Sequence, residues 1–254
     1  MTRKLGKKVK LKTVNKEKLN YVFVATPAYD NKVNAEFCQS MINAVYGCPL
    51  FGVKVASSIL ANGAFIELAR NQFVRAFLDD HKECTHLFFV DADLKFPAEA
   101  FVGLVGMNLP IVAGVYPKRE PTETYPVQWQ EHKDGGLWCE DGFIMAKRVP
   151  TGFLCIRRDV LQEMADDAEQ VTITGTDGLV PWVFSTGLIE TDKGTTTMIG
   201  EDFQFCDNYI KKYGKPIPVW PDIDFEHGGV KGNLAEYLNR TVNGMNDESE
   251  TSAA

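Results

Sequence analysis

Short apolar runs and amphipathic stretches take turns along the first half of this chain, and few folds accept that order. Tyr21-Val-Phe-Val-Ala25 is a β-branched and aromatic run that stops at Thr26-Pro27, so it reads as a buried strand closed by a turn. Asn34 can cap a helix from about Ala35 to Tyr46, in which Phe37, Met41, Ile42 and Val45 fall at helical spacing. A second strand is expected around Phe51 to Ser57 and a second helix over roughly Gly63 to Asp80. His86-Leu-Phe-Phe-Val90 then breaks into Asp91-Ala92-Asp93, Pro97 opens a helix to about Met107, and Pro110 to Val115 is a fourth strand. Strands alternating with helices favour an α/β fold: a Rossmann-like, mainly parallel central sheet, flanked by helices, with ligands at the carboxyl ends of its strands.

After Tyr116-Pro117 the winding loses its regularity. A hairpin is expected over Leu137 to Ala146, turning near Asp141-Gly142, then a strand at Phe153 to Ile156 and a helix from Arg158 to Asp166. Thr172 to Gly200 is rich in Gly and Thr without helical periodicity and reads as a mobile loop. Glu201 to Tyr213 reads as a helix, Ile217 to Trp220 as a last strand, and His227 falls in a Gly-rich loop.

A chain of 254 residues is long enough for one such domain, expected over residues 20–240. The net charge of −7 hides an asymmetry, because eight of the 27 Lys and Arg lie in the first 18 residues beside one acid, Glu17. Residues 1–19 read as a disordered basic arm able to meet a polyanion or an anionic membrane surface, and 241–254 as a disordered polar tail. No apolar run reaches the roughly 18 residues that a membrane helix needs. The six cysteines form no CxxC pair, which suits free thiols in a reducing cytoplasm.

Two Asp-x-Asp triplets occur, Asp91-Ala92-Asp93 and Asp222-Ile223-Asp224, and position separates them. The first follows an apolar strand directly, so its carboxylates would emerge at the carboxyl edge of the sheet. There a hard dication, Mg²⁺ or Mn²⁺, could bridge them to a diphosphate. Gly200-Glu201-Asp202-Phe203 sets paired carboxylates at a helix start, where backbone N–H groups fix anions. His227 offers an imidazole for a transition-series dication, and Thr151-Gly152 allows close backbone approach before a strand. Each of these also has an ordinary reading, as turn, cap, surface histidine or tight turn.

Their order along the chain resembles that of the GT-A glycosyltransferases, in particular small bacterial and viral members of the inverting type. The resemblance covers roughly Tyr21 to Gly232. It runs through Thr26-Pro27-Ala28-Tyr29, Ala69-Arg70-Asn71, Phe88-Phe-Val-Asp-Ala-Asp93, Tyr116-Pro117-Lys118, Thr151-Gly152-Phe153, Gly200-Glu-Asp-Phe203 and His227. It implies a nucleotide-diphosphate sugar as donor, UDP-linked by preference, bound by residues 20–117, and an acceptor bound by a smaller β region within 118–240. It implies further that Asp91, Asp93 and His227 bind Mn²⁺ or Mg²⁺. Thr26, Pro27, Ala28, Tyr29, Arg70, Asn71, Ala92 and Lys231 would face the donor, and Thr151, Gly152 and Glu201 the acceptor. Asp202 would be the general base.

Two other readings compete. A sugar nucleotidyltransferase would need a Gly-rich, basic loop after the first strand, and Thr26 to Asp30 supplies neither glycine nor arginine. A non-catalytic nucleotide-sugar-binding module would not need Asp202 beside the metal pair. No GxxxxGK[ST] loop, GxGxxG or HExxH is present. The acceptor stays open among glycans, lipid-linked sugars, proteins and hydroxymethylated DNA bases. The basic arm suits nucleic acid, and the acidic body opposes a wide nucleic-acid footprint.

Overall fold

The computed structural model describes residues 20–61, 65–175, 177–191 and 194–241. The expected arm, nearly all of the expected tail and the expected start of the second helix at Gly63 lie outside them. In chain order come β1 (Asn20–Ala28), α1 (Ala35–Gly47), a 3-10 turn (Cys48–Phe51), β2 (Val53–Ala61), α2 (Ile66–Asp79), β3 (His86–Val90), β4 (Leu94–Lys95), α3 (Ala98–Met107) and β5 (Ile111–Gly114). The second half adds β6 (Gln128–Trp129), β7 (Cys139–Glu140), β8 (Phe143–Arg148), β9 (Phe153–Arg157) and α4 (Arg158–Asp167). Then follow β10 (Gln170–Thr172), β11 (Leu179–Pro181), β12 (Gly187–Glu190), β13 (Thr196–Ile199), α5 (Glu201–Tyr213), β14 (Ile217–Trp220), β15 (Asp224–His227) and β16 (Val230–Asn233). A sixth helix covers 234–241.

The central sheet runs β2-β1-β3-β9-β5-β14-β8-β6, with β7 also on β8. β1 is parallel to β2 and β3, and β5 to β14. β9 lies antiparallel between β3 and β5, and β8 antiparallel to β14. The sheet is therefore mixed, not mainly parallel as the alternation predicts. A parallel neighbour needs a helical crossover, and no helix stands between β5 and β9.

Side chains of β1 and β3 alternate between two apolar layers. Val22, Val24, Phe88 and Val90 face α1 and α3 through Phe37, Phe101 and Leu104. Phe23, Ala25, Leu87 and Phe89 face the opposite layer, with Phe73, Phe77, Phe184 and Phe205. Burial on both faces is why these strands read as unbroken apolar runs.

Two other expectations change, and one element is new. Thr172 to Gly200 is not irregular: it holds the hairpins β10–β11 and β12–β13, whose Thr and β-branched residues suit strands. Phe184, between them, stacks on Phe205 at 4.4 Å and meets the edge of Phe89 at 5.4 Å. His227 is not in a loop but ends β15, because Gly228 and Gly229, both at positive φ, close a two-residue turn into β16. The helix over 234–241 escapes the sequence reading. Asn233 caps it by accepting the Glu236 N–H at 3.2 Å, while its own amide donates to Asp222 and Asp224. The second Asp-x-Asp triplet is thereby engaged on Asn233.

Candidate active site at the carboxyl edge of the sheet

β3 is buried throughout and delivers Asp91 to the carboxyl edge. The Asp91 N–H donates to the Gly152 carbonyl at 2.9 Å, which ties the turn to the start of β9. The Asp91 carboxylate accepts the Tyr116 hydroxyl at 3.1 Å and lies 3.5 Å from the Arg70 guanidinium. Arg70 is only 4% exposed and also pairs with Glu201 at 3.1 Å. Burial opposes its charge, but Asp91 and Glu201 prevail and hold it above the ordinary arginine range. Burial and the Asp91 charge push the Tyr116 hydroxyl far up, so it is a proton donor here.

Asp93 and His227 form the second part of the site. β4 pairs antiparallel with β15, setting His227 beside Leu94, one residue past Asp93. The imidazole Nε2 lies 3.5 Å from an Asp93 oxygen. A carbonyl can only accept, so the 2.8 Å contact between His227 Nδ1 and the Pro117 oxygen assigns the proton to Nδ1 and makes Nε2 the accepting nitrogen. Burial and the Arg119 charge hold the His227 pKa below its usual value, against the pull of the Pro117 carbonyl. Arg119 closes the pair: its Nε donates to His227 Nε2 at 2.9 Å and its Nη2 contacts Asp93. Its stem lies against Gly228, where a β-carbon would come within 2.9 Å of Arg119 Cδ.

Asp202 is the second residue of α5, after Gly200 and Glu201, and accepts the Phe203 N–H at 2.7 Å. Its pKa is raised to about 6 by burial and then by the Glu201 charge, against that N–H and Arg70. At this helix start, burial outweighs the anion-stabilising backbone. Its charge acts on Tyr116 and Arg70 acts on it, so it belongs to the same electrostatic neighbourhood as Asp91.

Other residues fall less directly on the site. Thr26 and Ala28 are buried at the end of β1, Pro27 is half-buried, and Tyr29 projects into solvent. Ala92 accepts the Asn34 N–H at 2.9 Å, which brings the segment after β1 against the Asp91 turn. Asn71 turns into the core, where its amide donates to the Phe184 carbonyl at 2.7 Å and accepts the Phe184 N–H at 2.9 Å. Thr151 is buried with its hydroxyl unpartnered. Gly152 serves close approach, though to protein: a β-carbon there would lie 2.1 Å from Asp91 Oδ2 and 2.2 Å from the Tyr116 hydroxyl. Glu201 is committed to Arg70. Lys231 pairs across the hairpin with Glu226, so the two share the face opposite to that of His227 and Val230. Tyr116 and Arg119 carry no role in the sequence reading; the signal for them is the Tyr116-Pro117 break just beyond β5.

The donor set fits a hard or borderline dication. Asp93 and His227 already face a cationic group, and Mg²⁺-type ions are held by one or two side chains plus substrate phosphates. Among the described residues the one group of three potential ligands whose atoms lie within 4.8 Å of one another is His81, Glu83 and Cys84, elsewhere in the fold. Burial pushes the Cys84 thiol up to about 11, which makes it a poor metal ligand. Asp91 thus stands apart from the Asp93–His227 pair, engaged by Arg70 and Tyr116.

No protein-family description and no curated protein matches this sequence. Among solved structures, 26 chains match. The chain is similar to A197 from STIV at 14% identity and a TM-score of 0.48, covering 82% of this chain and 85% of that one. It is also similar to a glycosyltransferase involved in the glycosylation of the major capsid of PBCV-1, at 11% identity and a TM-score of 0.31, covering 57% of this chain and 63% of that one. At such scores neither likeness carries a function across, and the function is read from the site.

Proposed function

We propose that this chain is a metal-dependent glycosyltransferase of the GT-A kind. It moves a sugar from a nucleotide-diphosphate donor, UDP-linked by preference, to an acceptor hydroxyl with inversion. One observation carries the reading: a cation-holding pair, Asp93 with His227, shares one sheet edge with a carboxylate tuned to about 6, Asp202, although the three are far apart in sequence. Asp202 takes the proton of the acceptor hydroxyl, and its raised pKa makes it a stronger base than an ordinary aspartate while it remains largely ionised at pH 7. Asp93 and His227 Nε2 would hold the dication, while Asp91 is engaged by Arg70 and Tyr116. The ion, when bound, neutralises charge developing on the departing diphosphate. The segment after β1, lying against Ala92, lines the donor side.

The test is incubation with Mn²⁺ and a panel of nucleotide sugars, following slow donor hydrolysis in the absence of acceptor. Hydrolysis of one donor that stops with EDTA is the expected result. Binding of a nucleotide sugar with equal affinity in EDTA would remove the metal bridge, and formation of a nucleotide sugar from sugar phosphate and nucleoside triphosphate would move the chain to the nucleotidyltransferases.

A further inference from the structure

β2 stands at one end of the central sheet, and among the described residues β1 is its only neighbouring strand. Its outer edge therefore offers a row of backbone N–H and C=O groups that no strand meets, which is a template for pairing. Proteins that stay single blunt such an edge with short strands, prolines, bulges or charges. The opposite end of this sheet is blunted in that way: β6 and β7 have two residues each, and the register of β6 on β8 shifts at Gln128/Trp129. β2 carries only one of these devices, the charge of Lys54. It runs nine residues in unbroken register with β1, without proline or glycine, and Lys54 is the only charged residue from Cys48 to Ala61.

Exposed apolar side chains mark both ends of this strand. Leu50 and Phe51 stand just before it, Ile59 near its end, and Phe65 and Ile66 at the start of α2. Within the strand, Val55 packs toward the layer of α1 and α3, while Ala56 and Leu60 pack toward that of α2. Ile59, four positions after Val55, shares its face and is nevertheless 53% exposed.

We propose that two copies of this chain pair through β2, antiparallel about a two-fold axis at Ser57, the middle of the strand, and so form one continuous sheet. This register sets Val55 opposite Ile59 of the second copy and Lys54 opposite Leu60, so that no charge meets its like. Antiparallel order also brings the end of each strand that carries Leu50 and Phe51 to the end of the other that carries Phe65 and Ile66. Buried in both copies, these side chains and Ile59 come to on the order of 1,000 Å², the lower end of what specific interfaces bury. A second copy fits better than a foreign strand because the contact is self-complementary and self-limiting. It uses up the one long free edge of each molecule, and the blunted β6 end adds no third copy. The carboxyl edges of the two sheets then point in opposite directions, so neither cleft faces the other. This inference is independent of the reaction proposed above.

Sedimentation equilibrium of the full chain tests it, with a dimer expected. Ile59→Lys sets an ammonium against Val55 of the second copy and should raise the dissociation constant at least about tenfold. Its circular dichroism should match wild type, since Ile59 already stands half in solvent. Directly opposed residues of an antiparallel pair lie within disulfide reach. Ser57→Cys should therefore give a disulfide-linked dimer under mild oxidation, while wild type and Lys54→Cys do not. A monomer at every concentration overturns the proposal. So does a dimer indifferent to Ile59→Lys, which would use another surface, or one that Ser57→Cys fails to trap.

Discussion

At the scale of single residues, Asp202 and Arg119 make the sharpest claims. Asp202 has a pKa near 6 in the fold against an ordinary value of 3.8. Activity should therefore rise with pH through about 6 and level off above it, and Asp202→Asn should lose about 10²- to 10⁴-fold in turnover while keeping donor and metal binding. The stability consequence has a definite sign. A carboxyl whose pKa is raised on folding binds its proton more tightly in the native state, so its contribution is full below the ordinary value and lost as pH climbs from about 4 to about 6. Asparagine imitates the protonated form. The variant should match wild type in acid and exceed it by roughly 3 kcal/mol at neutral pH, from about two pKa units at 1.36 kcal/mol each; chemical denaturation at both pH values measures this, and equal stability at neutral pH would show that the charge is not confined. An inverted linkage between donor and product checks the base role separately, because retention would demand another use for Asp202. Arg119 makes the opposite kind of claim, since its guanidinium engages the two groups offered to the dication. Arg119→Ala should bind Mn²⁺ alone more tightly, by roughly two- to fivefold, the range set by an exposed ion pair worth up to about 1 kcal/mol. Electron paramagnetic resonance of free Mn²⁺ reads this directly, and unchanged or weaker binding would make Arg119 a mere cover over the hairpin turn.

At the scale of elements, the β15–β16 hairpin shows what periodicity could and could not reveal. His227 and Lys231 stand four positions apart, a spacing that invites pairing if the segment is a loop folded over a phosphate. The two-residue Gly228-Gly229 turn instead places them on opposite faces. His227→Ala should weaken Mn²⁺-dependent nucleotide binding at least about tenfold, the size expected when a ligand shell is damaged, whereas Lys231→Ala should leave it unchanged in calorimetric titration. An equal loss for both would mean that the hairpin rearranges on binding. The same lesson applies to Thr172 to Gly200. Its Gly and Thr content hides strands that cover only three or four residues each, and the anchor that pins it, Phe184 held by Asn71, lies 113 positions away from its partner. The Phe184 anchor ties down the middle of the segment, so any closure over a donor would fall to β12–β13, where Leu188 and Met198 form an exposed cross-strand pair just before Asp202. In hydrogen exchange, β12–β13 should slow on adding metal and nucleotide while Val183 and Phe184 stay protected throughout; slowing across the entire segment would revive the longer lid.

At the scale of the whole molecule, the longer strands of the central sheet were legible one by one but their order was not. The apolar runs at β1, β3, β5 and β9 stand out because each is buried on both faces, and Asp91 could be placed at a strand end from that alone. Nothing local to Phe153-Leu-Cys-Ile-Arg157 says that it will pair with both β3 and β5, since neither partner touches it in sequence and β-pairing is decided by the sheet. That insertion has a mechanical consequence. Residues 20–117 and 118–240 divide the chain by expected ligand, yet β9 and β14 from the second part sit between and beside β3 and β5 of the first. A fragment ending at residue 117 would leave the facing edges of β3 and β5 unpaired and strip Phe73, Phe77 and Phe89 of Phe184 and Phe205. It should remain unfolded by circular dichroism, and the whole chain should unfold as one cooperative unit. The tryptophans make this measurable, because all four, Trp129, Trp138, Trp182 and Trp220, lie in the second part. Their fluorescence follows that part alone, while far-ultraviolet circular dichroism follows helices from both. Coincident urea transitions by the two probes are the expected result. A fluorescence transition that precedes the loss of helix, with the 20–117 fragment folding by itself, would show that the first three strands and their helices form an independent unit and that the interleaved sheet is not what holds the two parts together.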